Sequence, residues 1–323
     1  QSKVSLVWLI STCKLPHNLS ITACLPVSLP TSLSQLIGTG TALITPFNSD
    51  YSIDFDALER IVEQQIAGGT DYFVMLGTTG ESVTLSSEEK TQVIACIKKA
   101  TAGRIPLVLG VGGNNTAAVV EQLQSLDTTG LTAILSVSPY YNKPNQQGII
   151  YHYTQVADAS PLPIILYNVP GRTGSNMTAA TQLTLAQHPN IVATKEASGN
   201  MEQVMTILAN KPADFLVISG DDALTFPMLA CGGSGVISVI NHAFPKTFSS
   251  MVRAALQGDF LVARKAHETV LESAIAIFAD GSPSGIKTML NEMGLCGTAV
   301  RPPLWSVNDQ VEANLRRLAH NAQ

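Results

Sequence analysis

The sequence predicts an α/β protein folded as a (β/α)8 TIM barrel with additional C-terminal helices. Eight short apolar runs recur between residues 40 and 240, and segments with helical spacing separate them. Apolar runs without strict alternation are typical of parallel strands that helices cover on the outside. Eight strand–helix repeats are the number that closes a barrel of this kind.

The predicted strands follow in order along the chain. They comprise residues 40–46, 72–76, 106–110, 133–137, 163–167, 191–195, 215–219 and 235–240. Between them, Leu58, Ile61 and Val62 repeat at helical spacing, and Asp54 and Ser86 stand where helix N-caps are expected. Helical segments at residues 245–257, 259–278 and 283–294, with one more near the end, exceed the needs of a minimal barrel.

These patterns divide the chain into three parts. We expect residues 1–36 to be an N-terminal extension outside the fold, residues 37–244 to be the barrel core, and residues 245–323 to hold the last barrel helix and a C-terminal helical appendage. The first segment is rich in Ser, Thr, Leu and Pro and contains no acidic residue. It resembles a targeting peptide only superficially, since it lacks Arg and a small-residue cleavage pattern.

Composition excludes several classes of function. The formal charge is −5 and no basic patch is present, which disfavours nucleic-acid binding. No apolar run is long enough to span a membrane. The five cysteines form no Cys-x-x-Cys pair and the six histidines no His-x-x-x-His pair. We therefore expect reduced thiols in a cytoplasmic enzyme, with no metal site and no cofactor.

The candidate site lies at the carboxyl ends of the predicted strands, where barrels of this class carry their chemistry. Lys195 is the only one of the eleven lysines that ends a strand-like apolar run. A poorly solvated amine at a barrel mouth is more easily kept neutral, and it is then a nucleophile that forms imines. The alternative is a lysine that simply pairs with Glu196 or with another acid at the rim.

Other strand ends supply possible partners for Lys195. Tyr167 ends the fifth run and could relay a proton, although a lone tyrosine more often caps a core. Thr78 and Thr79 lie in a glycine-bounded turn that could bind a carboxylate, or that could be an ordinary βα turn. Arg172, in the loop after the fifth strand, has the fork that binds carboxylates, or it could form a surface ion pair.

Two further segments bear on the interpretation. Gly220 follows the seventh run and could offer backbone contacts to a substrate. Residues 110–114 read GVGGN, which lacks the spacing of a dinucleotide-binding loop. A lysine, a tyrosine, a threonine turn and an arginine at one mouth together suggest an imine-forming aldolase that acts on small carboxylated carbonyl compounds.

Five motifs carry a resemblance to a known family. They read GTTGES at residues 77–82, PYYN at 139–142, YNVPGRTG at 167–174, KEASG at 195–199 and SGDD at 219–222. In this order and at this spacing, the chain from about residue 37 to its end resembles the 4-hydroxy-tetrahydrodipicolinate synthases, also called dihydrodipicolinate synthases. The second threonine of the turn, Thr79, and Arg172 favour these synthases over sister aldolases such as N-acetylneuraminate lyase or the 2-keto-3-deoxy sugar acid aldolases.

The resemblance implies a reaction and an assembly. Members of the family condense pyruvate with L-aspartate 4-semialdehyde through a lysine Schiff base, in the diaminopimelate route to lysine. They usually form homotetramers, as dimers of dimers. A barrel without catalytic activity that senses small molecules is the alternative from another class, and the complete set of reactive side chains argues against it.

The resemblance also implies roles for single residues. Lys195 forms the imine, and Tyr167, Thr79 and Tyr141 relay protons, with Tyr141 entering the neighbouring subunit's site. The turn at Thr78 and Thr79 binds the carboxylate of pyruvate, while Arg172 binds that of the aldehyde. The pocket is lined by Gly220 and Ile237.

A second, allosteric site is implied near the second-strand loop. Ser82, Asn114 and Tyr140 stand where lysine-sensitive members place polar contacts. The sensitive enzymes carry a glutamate where this chain has Ala118, and histidines where it has Ser87 and Lys90. We therefore expect L-lysine to inhibit weakly.

Overall fold

The computed structural model describes residues 31–320, and the side chains from residue 33 onward. Eight parallel strands form a closed barrel in chain order, and the first strand pairs with the eighth. The strands are β1 (Gly38–Ala42), β2 (Tyr72–Met75), β3 (Leu107–Gly110), β4 (Ala133–Val137), β5 (Ile164–Asn168), β6 (Ile191–Glu196), β7 (Leu216–Ser219) and β8 (Gly235–Ser238). The predicted TIM barrel is confirmed.

Helices surround the barrel and extend it at the C-terminal end. Those up to β8 are α1 (Thr31–Ser34), α2 (Phe55–Ala67), α3 (Ser87–Thr101), α4 (Thr116–Gln124), α5 (Gln146–Ala159), α6 (Pro170–Thr173), α7 (Ala179–Leu185), α8 (Met201–Asn210) and α9 (Thr225–Ala230). After β8 come α10 (Pro245–Leu256), α11 (Phe260–Ala276), α12 (Ser284–Glu292) and α13 (Asp309–Ala319). The additional C-terminal helices are therefore present as predicted.

Strand alternation divides the apolar residues between two cores. In β2, Tyr72 and Val74 belong to the cluster inside the barrel, whereas Phe73 and Met75 belong to the cluster between strands and helices. All four side chains are fully buried. Each strand is thus covered on both faces, which explains why the sequence shows continuous apolar runs.

The predicted helix caps form as expected. The Asp54 side chain accepts a hydrogen bond from the backbone N–H of Ala57 at the start of α2. Ser86 and Glu89 form a capping box at the start of α3, in which each side chain accepts a hydrogen bond from the other residue's backbone. Polar residues in the sequence therefore fix where these two helices begin.

Two predicted strands differ from the observed ones by two residues or more at an end, and the others agree to within one residue. The first ladder covers Gly38–Ala42 rather than residues 40–46, because Leu43 and Ile44 continue the apolar run while packing into the outer core as irregular chain. The eighth ends at Ser238, since the chain then enters a 3-10 turn at Ile240–His242. The Asp222 carboxylate accepts the backbone N–H groups of residues 239 and 240 and fixes that turn.

The fold begins before residue 37, where the prediction placed its start. Leu36 is 1% exposed and belongs to the interior cluster, and Leu33 is also buried. Because these side chains lie in the core, residues 33–36 are part of the folded unit. Residues 1–30 lie outside the described part of the chain. Within residues 31–320, no helix is long and apolar enough to cross a membrane.

Candidate active site

A cavity of about 990 Å³ opens at the carboxyl ends of the strands. The residues with side-chain roles suggested by the sequence that line it are Thr78, Ser82, Ser87, Lys90, Tyr140, Tyr167 and Arg172. They come from three different strand ends and the segments that follow them. The closed barrel therefore brings together side chains that are almost 100 positions apart in the chain, as expected for a barrel of this class.

Lys195 and Tyr167 face each other at neighbouring strand ends, and of the two only Tyr167 lines the cavity. Their Cα atoms are direct partners in the β5–β6 ladder. The Lys195 Nζ lies over the phenol ring, 4.3 Å from the ring centroid. Lys195 is 5% exposed and Tyr167 is 7% exposed. The amine is therefore held in a mostly enclosed position with a hydroxyl-bearing ring beside it.

The chain after β7 closes one side of the lysine. A Cβ atom placed on Gly220 would lie 2.9 Å from Lys195 Cε and 2.7 Å from Ala197 Cβ. Any larger residue would displace the lysine, so glycine is required by close packing here. Ile237 is buried in the interior cluster that also contains Tyr167.

The threonine turn is a short 3-10 helix, Thr78–Gly80. The first N–H groups of a helix have no partner within it and are therefore suited to an anion. Thr79 is buried, and the Thr45 hydroxyl donates to the carbonyl oxygen of Gly80 at 2.7 Å. The turn is thus held by the segment that follows β1 as well as by its own chain.

A buried ion pair follows this turn, and no sequence pattern had predicted it. The Lys287 Nζ in α12 lies 2.6 Å from Glu81 Oε1, and both side chains are 0% exposed. The same ammonium donates to the carbonyl oxygen of Ala299 and lies 4.3 Å from the centroid of the Phe47 ring. The backbone N–H of Arg301 donates to the other Glu81 oxygen. The C-terminal helices therefore contact the turn that carries Thr78 and Thr79.

Glu196 is not the partner of Lys195. Its carboxylate accepts hydrogen bonds from the side-chain amides of Asn168, Gln182 and Gln203. Adjacent strand residues point to opposite faces, so these contacts lie outside the barrel while Lys195 points inward. Among residues 33–320, Lys195 forms no ion pair with Glu196 or with another acid, so the rim ion pair considered as an alternative is not found there. Strand alternation could have predicted this arrangement. Glu196 directly follows Lys195 and Asn168 directly follows Tyr167, so both lie on the strand face opposite to the reactive pair.

The loop that carries the two tyrosines has an unusual backbone. Tyr141 has a φ of 71° and its side chain is 88% exposed. The Asn114 side chain donates to the carbonyl oxygen of Tyr140 at 3.1 Å, and Asn142 donates back to the carbonyl oxygen of Asn114. Tyr140 lines the cavity, whereas Tyr141 projects into solvent and does not join the Lys195–Tyr167 pair within its own chain.

Metal ligands and cysteines offer no further site. Across residues 31–320, no group of three or more His, Cys, Asp or Glu side chains could hold a metal ion. Cys96, Cys231 and Cys296 are free thiols, and the two other cysteines lie outside the described residues. Burial raises the pKa of the Cys296 thiol to about 12, so this sulfur stays protonated at neutral pH.

A family model and the sequences of known proteins match this chain over most of its length. The model of the dihydrodipicolinate synthetase family matches residues 35–322. The 4-hydroxy-tetrahydrodipicolinate synthase of Flavobacterium psychrophilum is 53% identical over 284 residues, which cover 88% of this chain and 97% of the relative.

Solved structures agree with this match. The dihydrodipicolinate synthase from Acinetobacter baumannii, described as chloride inhibited and complexed with pyruvate, has a TM-score of 0.86 and is 37% identical, covering 88% of this chain and 98% of the other. The enzyme from Cyanidioschyzon merolae with lysine bound has a TM-score of 0.84 and is 38% identical, covering 89% and 98%. The chain belongs to the dihydrodipicolinate synthetase family.

Proposed function

We propose that this protein is a lyase that condenses pyruvate with L-aspartate 4-semialdehyde, giving 4-hydroxy-tetrahydrodipicolinate on the diaminopimelate route to lysine. The observation that carries the proposal is the enclosed amine of Lys195 over the Tyr167 ring at the barrel mouth. The relatives that match 53–54% of aligned positions bear the name of this synthase. No cofactor is needed, since the lysine supplies the covalent chemistry.

The first step joins pyruvate to Lys195. The neutral amine attacks the ketone carbon, and the oxygen becomes a hydroxyl by taking up a proton. A second proton turns that hydroxyl into a water molecule, which leaves as the imine forms. We assign this proton transfer to Tyr167, whose ring lies against the amine, with Thr79 and Tyr141 completing the relay.

The second step forms the new carbon–carbon bond. The imine withdraws electrons, so the pyruvate methyl group loses a proton and an enamine forms. Its carbon attacks the aldehyde carbon, whose oxygen takes up a proton to become the 4-hydroxyl group. The amino group of the semialdehyde then attacks the imine carbon and displaces Lys195, which closes the ring and frees the enzyme.

Two carboxylates must be held during these steps. We assign that of pyruvate to the turn at Thr78 and Thr79, whose N–H groups lie at a helix start. We assign that of the semialdehyde to Arg172, which lines the cavity and is exposed to solvent. Gly220 and Ile237 form the wall beside the imine.

We further propose a cytoplasmic homotetramer, a dimer of dimers, in which Tyr141 enters the partner's site. Its exposure and left-handed backbone suit a residue that is presented outward. A mixture of Lys195→Ala and Tyr141→Phe proteins tests this. If Tyr141 acts across subunits, mixed dimers contain one intact site and regain activity. If it acts within its own chain, the mixture stays as inactive as its components.

The overall reaction is tested by product analysis. Purified protein is incubated with pyruvate and L-aspartate 4-semialdehyde, and the heterocyclic product is identified by mass spectrometry. Parallel incubations with N-acetylneuraminate and with 2-keto-3-deoxy sugar acids test the sister aldolases. Turnover of one of these compounds, with none of the semialdehyde, would refute the proposed substrate.

We also propose that L-lysine binds weakly in the part of the cavity near Ser82 and Tyr140. Ser87 and Lys90 line the same cavity, and Ala118 is an exposed residue without a charge. The ligand's ammonium would therefore lack a carboxylate from residue 118 and would meet the charge of Lys90. Titration with L-lysine should give half-inhibition well above about 1 mM, and tighter inhibition would contradict this arrangement.

A further inference from the structure

We propose that Glu196 and Asn168 form a clasp on the outer side of the barrel that positions Lys195 and Tyr167 for imine formation. The clasp is defined as the hydrogen-bonded pair of these two side chains. Both residues stand apart from the cavity, so they act through the reactive pair and touch no substrate. This inference rests on the proposed function, in which Lys195 carries the imine.

The ladder between β5 and β6 connects the clasp directly to the reactive pair. Tyr167 is the Cα partner of Lys195, and Asn168 is the Cα partner of Glu196, one step further along. Consecutive side chains of a strand point to opposite faces. The reactive pair inside the barrel and the clasp outside it are therefore adjacent rungs of the same ladder.

The Glu196 carboxylate is buried among neutral donors. Asn168 Nδ2 lies 3.1 and 3.0 Å from its two oxygens, and Gln182 Nε2 lies 2.6 Å away. Gln203 Nε2 and the backbone N–H of Ser198 donate as well, at 3.2 and 2.8 Å. Glu196 is 1% exposed, and among residues 33–320 no Lys, Arg or His forms an ion pair with it.

The donors around Glu196 cannot reverse their amide groups. Asn168 Oδ1 already accepts the backbone N–H of Met177 at 2.9 Å. Gln182 Oε1 accepts the Thr194 hydroxyl at 2.8 Å, and Gln182 Nε2 donates to the carbonyl oxygen of Met177 at 3.0 Å, which only an NH₂ group can do. Their NH₂ ends must therefore point at residue 196. Only a carboxylate, which accepts hydrogen bonds at both oxygens and donates none, satisfies all of these groups.

The network reaches two helices and a loop beside the ends of β5 and β6. Gln182 lies in α7, Gln203 lies in α8, and Ser198 starts the loop after β6. The carboxylate thus ties the two strand ends to the helices packed on them. Since a misplacement of about 1 Å between reacting groups costs on the order of a hundredfold in rate, this tie bears directly on catalysis.

The isosteric change Glu196→Gln tests the proposal. It places an NH₂ group against donors that cannot turn, so the β5–β6 ends must shift. We expect pyruvate trapping by borohydride and kcat to fall about a hundredfold, while the KM values stay within about threefold. The matched control is Glu202→Gln, which makes the same change at an exposed position of α8 and should leave all constants unchanged.

The double variant Glu196→Gln/Asn168→Asp exchanges donor and acceptor within the clasp. It restores a donor–acceptor contact between residues 168 and 196 while Gln182 and Ser198 still face the amide, so it should recover part of the rate lost in Glu196→Gln. A merely structural loss would lower the fraction of folded protein and leave kcat per folded site unchanged in both variants. This variant also carries the test if the single variant fails to fold.

The outcomes separate the inference from the proposed function. If the wild-type protein traps no pyruvate on Lys195, the proposed function fails. If the wild-type protein traps pyruvate and Glu196→Gln traps it equally fast, the clasp is not a positioning device. An exchanged variant as slow as Glu196→Gln would likewise overturn the inference.

Discussion

Two buried carboxylates flank the candidate site, and the structure accommodates them in opposite ways. Glu81, after β2, lies against the ammonium of Lys287 from a helix outside the barrel. Glu196, at the end of β6, is surrounded by neutral amide and backbone donors. The Glu81 charge is compensated by a cation that lies 206 positions away along the chain, and the Glu196 charge is compensated by hydrogen bonds. The first therefore couples the site to the C-terminal helices, and the second couples it to the neighbouring strand.

This difference has energetic consequences. An ion pair removed from water is costly, and breaking it leaves one uncompensated charge in the interior. Burial lowers the pKa of the Lys287 ammonium, and the nearby Glu81 carboxylate opposes that shift. The β2 side should thus respond to substitution mainly through stability. The β6 side, whose hydrogen bonds all lie close to Lys195, should respond mainly through catalytic rate.

The substitution with the largest expected effect on stability is Lys287→Met. It removes the cation and leaves the Glu81 carboxylate buried, which should lower the free energy of unfolding by about 3–5 kcal/mol. Urea denaturation followed by circular dichroism measures this. The control is Lys265→Met on the exposed surface of α11, where we expect a change within about 0.5 kcal/mol.

A second variant sharpens this test. In Glu81→Gln/Lys287→Met no charge remains buried, so this protein should be more stable than Lys287→Met alone. If Lys287→Met costs no more than the surface control, the ion pair contributes nothing and the contrast with Glu196 is lost.

His242 shows a third way to bury a titratable group, which is to keep it neutral. Its Nε2 accepts the backbone N–H of Ile44 at 3.3 Å, and its Nδ1 lies 2.8 Å from the carbonyl oxygen of Val239. Burial lowers its pKa from 6.5 to about 4. Below pH 6.5 His242 binds a proton in the unfolded chain but stays neutral in the folded chain. The stability that depends on neutral His242 is therefore fully present above pH 6.5 and is lost as the pH falls toward 4.

The expected loss is on the order of 3 kcal/mol between these limits. His242→Gln should show a smaller decrease in stability over the same pH interval, because its side chain does not titrate. The pKa of His152 is also lowered to about 4 and that of Asp222 is raised to about 6, but both titrate in either protein and cancel in the comparison. The exposed His320→Gln serves as control. Identical pH profiles for His242→Gln and wild type would refute this explanation.

A substitution of Arg172 tests the solvent-exposed side of the site, which neither of the two buried carboxylates contacts. Arg172→Ala should leave pyruvate trapping nearly intact but reduce kcat/KM for the semialdehyde by roughly 10–150-fold, since a charged hydrogen bond contributes about 1.5–3 kcal/mol. Trapping and steady-state kinetics are measured on the same preparation. Equal losses in both would indicate that Arg172 supports the loop rather than the second substrate.

The sequence predicted the features that depend on local pattern. The strand order, the caps at Asp54 and Ser86 and the position of Lys195 at a strand end follow from periodicity and from single polar residues. Because strand ends converge in a closed barrel, the cavity-lining positions of Tyr167 and Arg172 followed as well.

Features that depend on distant contacts escaped prediction. Lys287 reaches Glu81 across 206 positions, and no spacing rule relates them. Glu196 was considered as a rim partner of Lys195, although alternation places it on the other face. Leu36 was assigned to an extension because a lone leucine before the first strand carries no period, yet it packs inside the barrel.

The central claim is that Lys195 becomes covalently attached to pyruvate. The direct test is to add borohydride to the protein with pyruvate, digest it, and locate the modified peptide by mass spectrometry. We expect a single reduced adduct on Lys195, and none in Lys195→Ala. An adduct on another lysine, or one that persists in Lys195→Ala, would contradict the assignment.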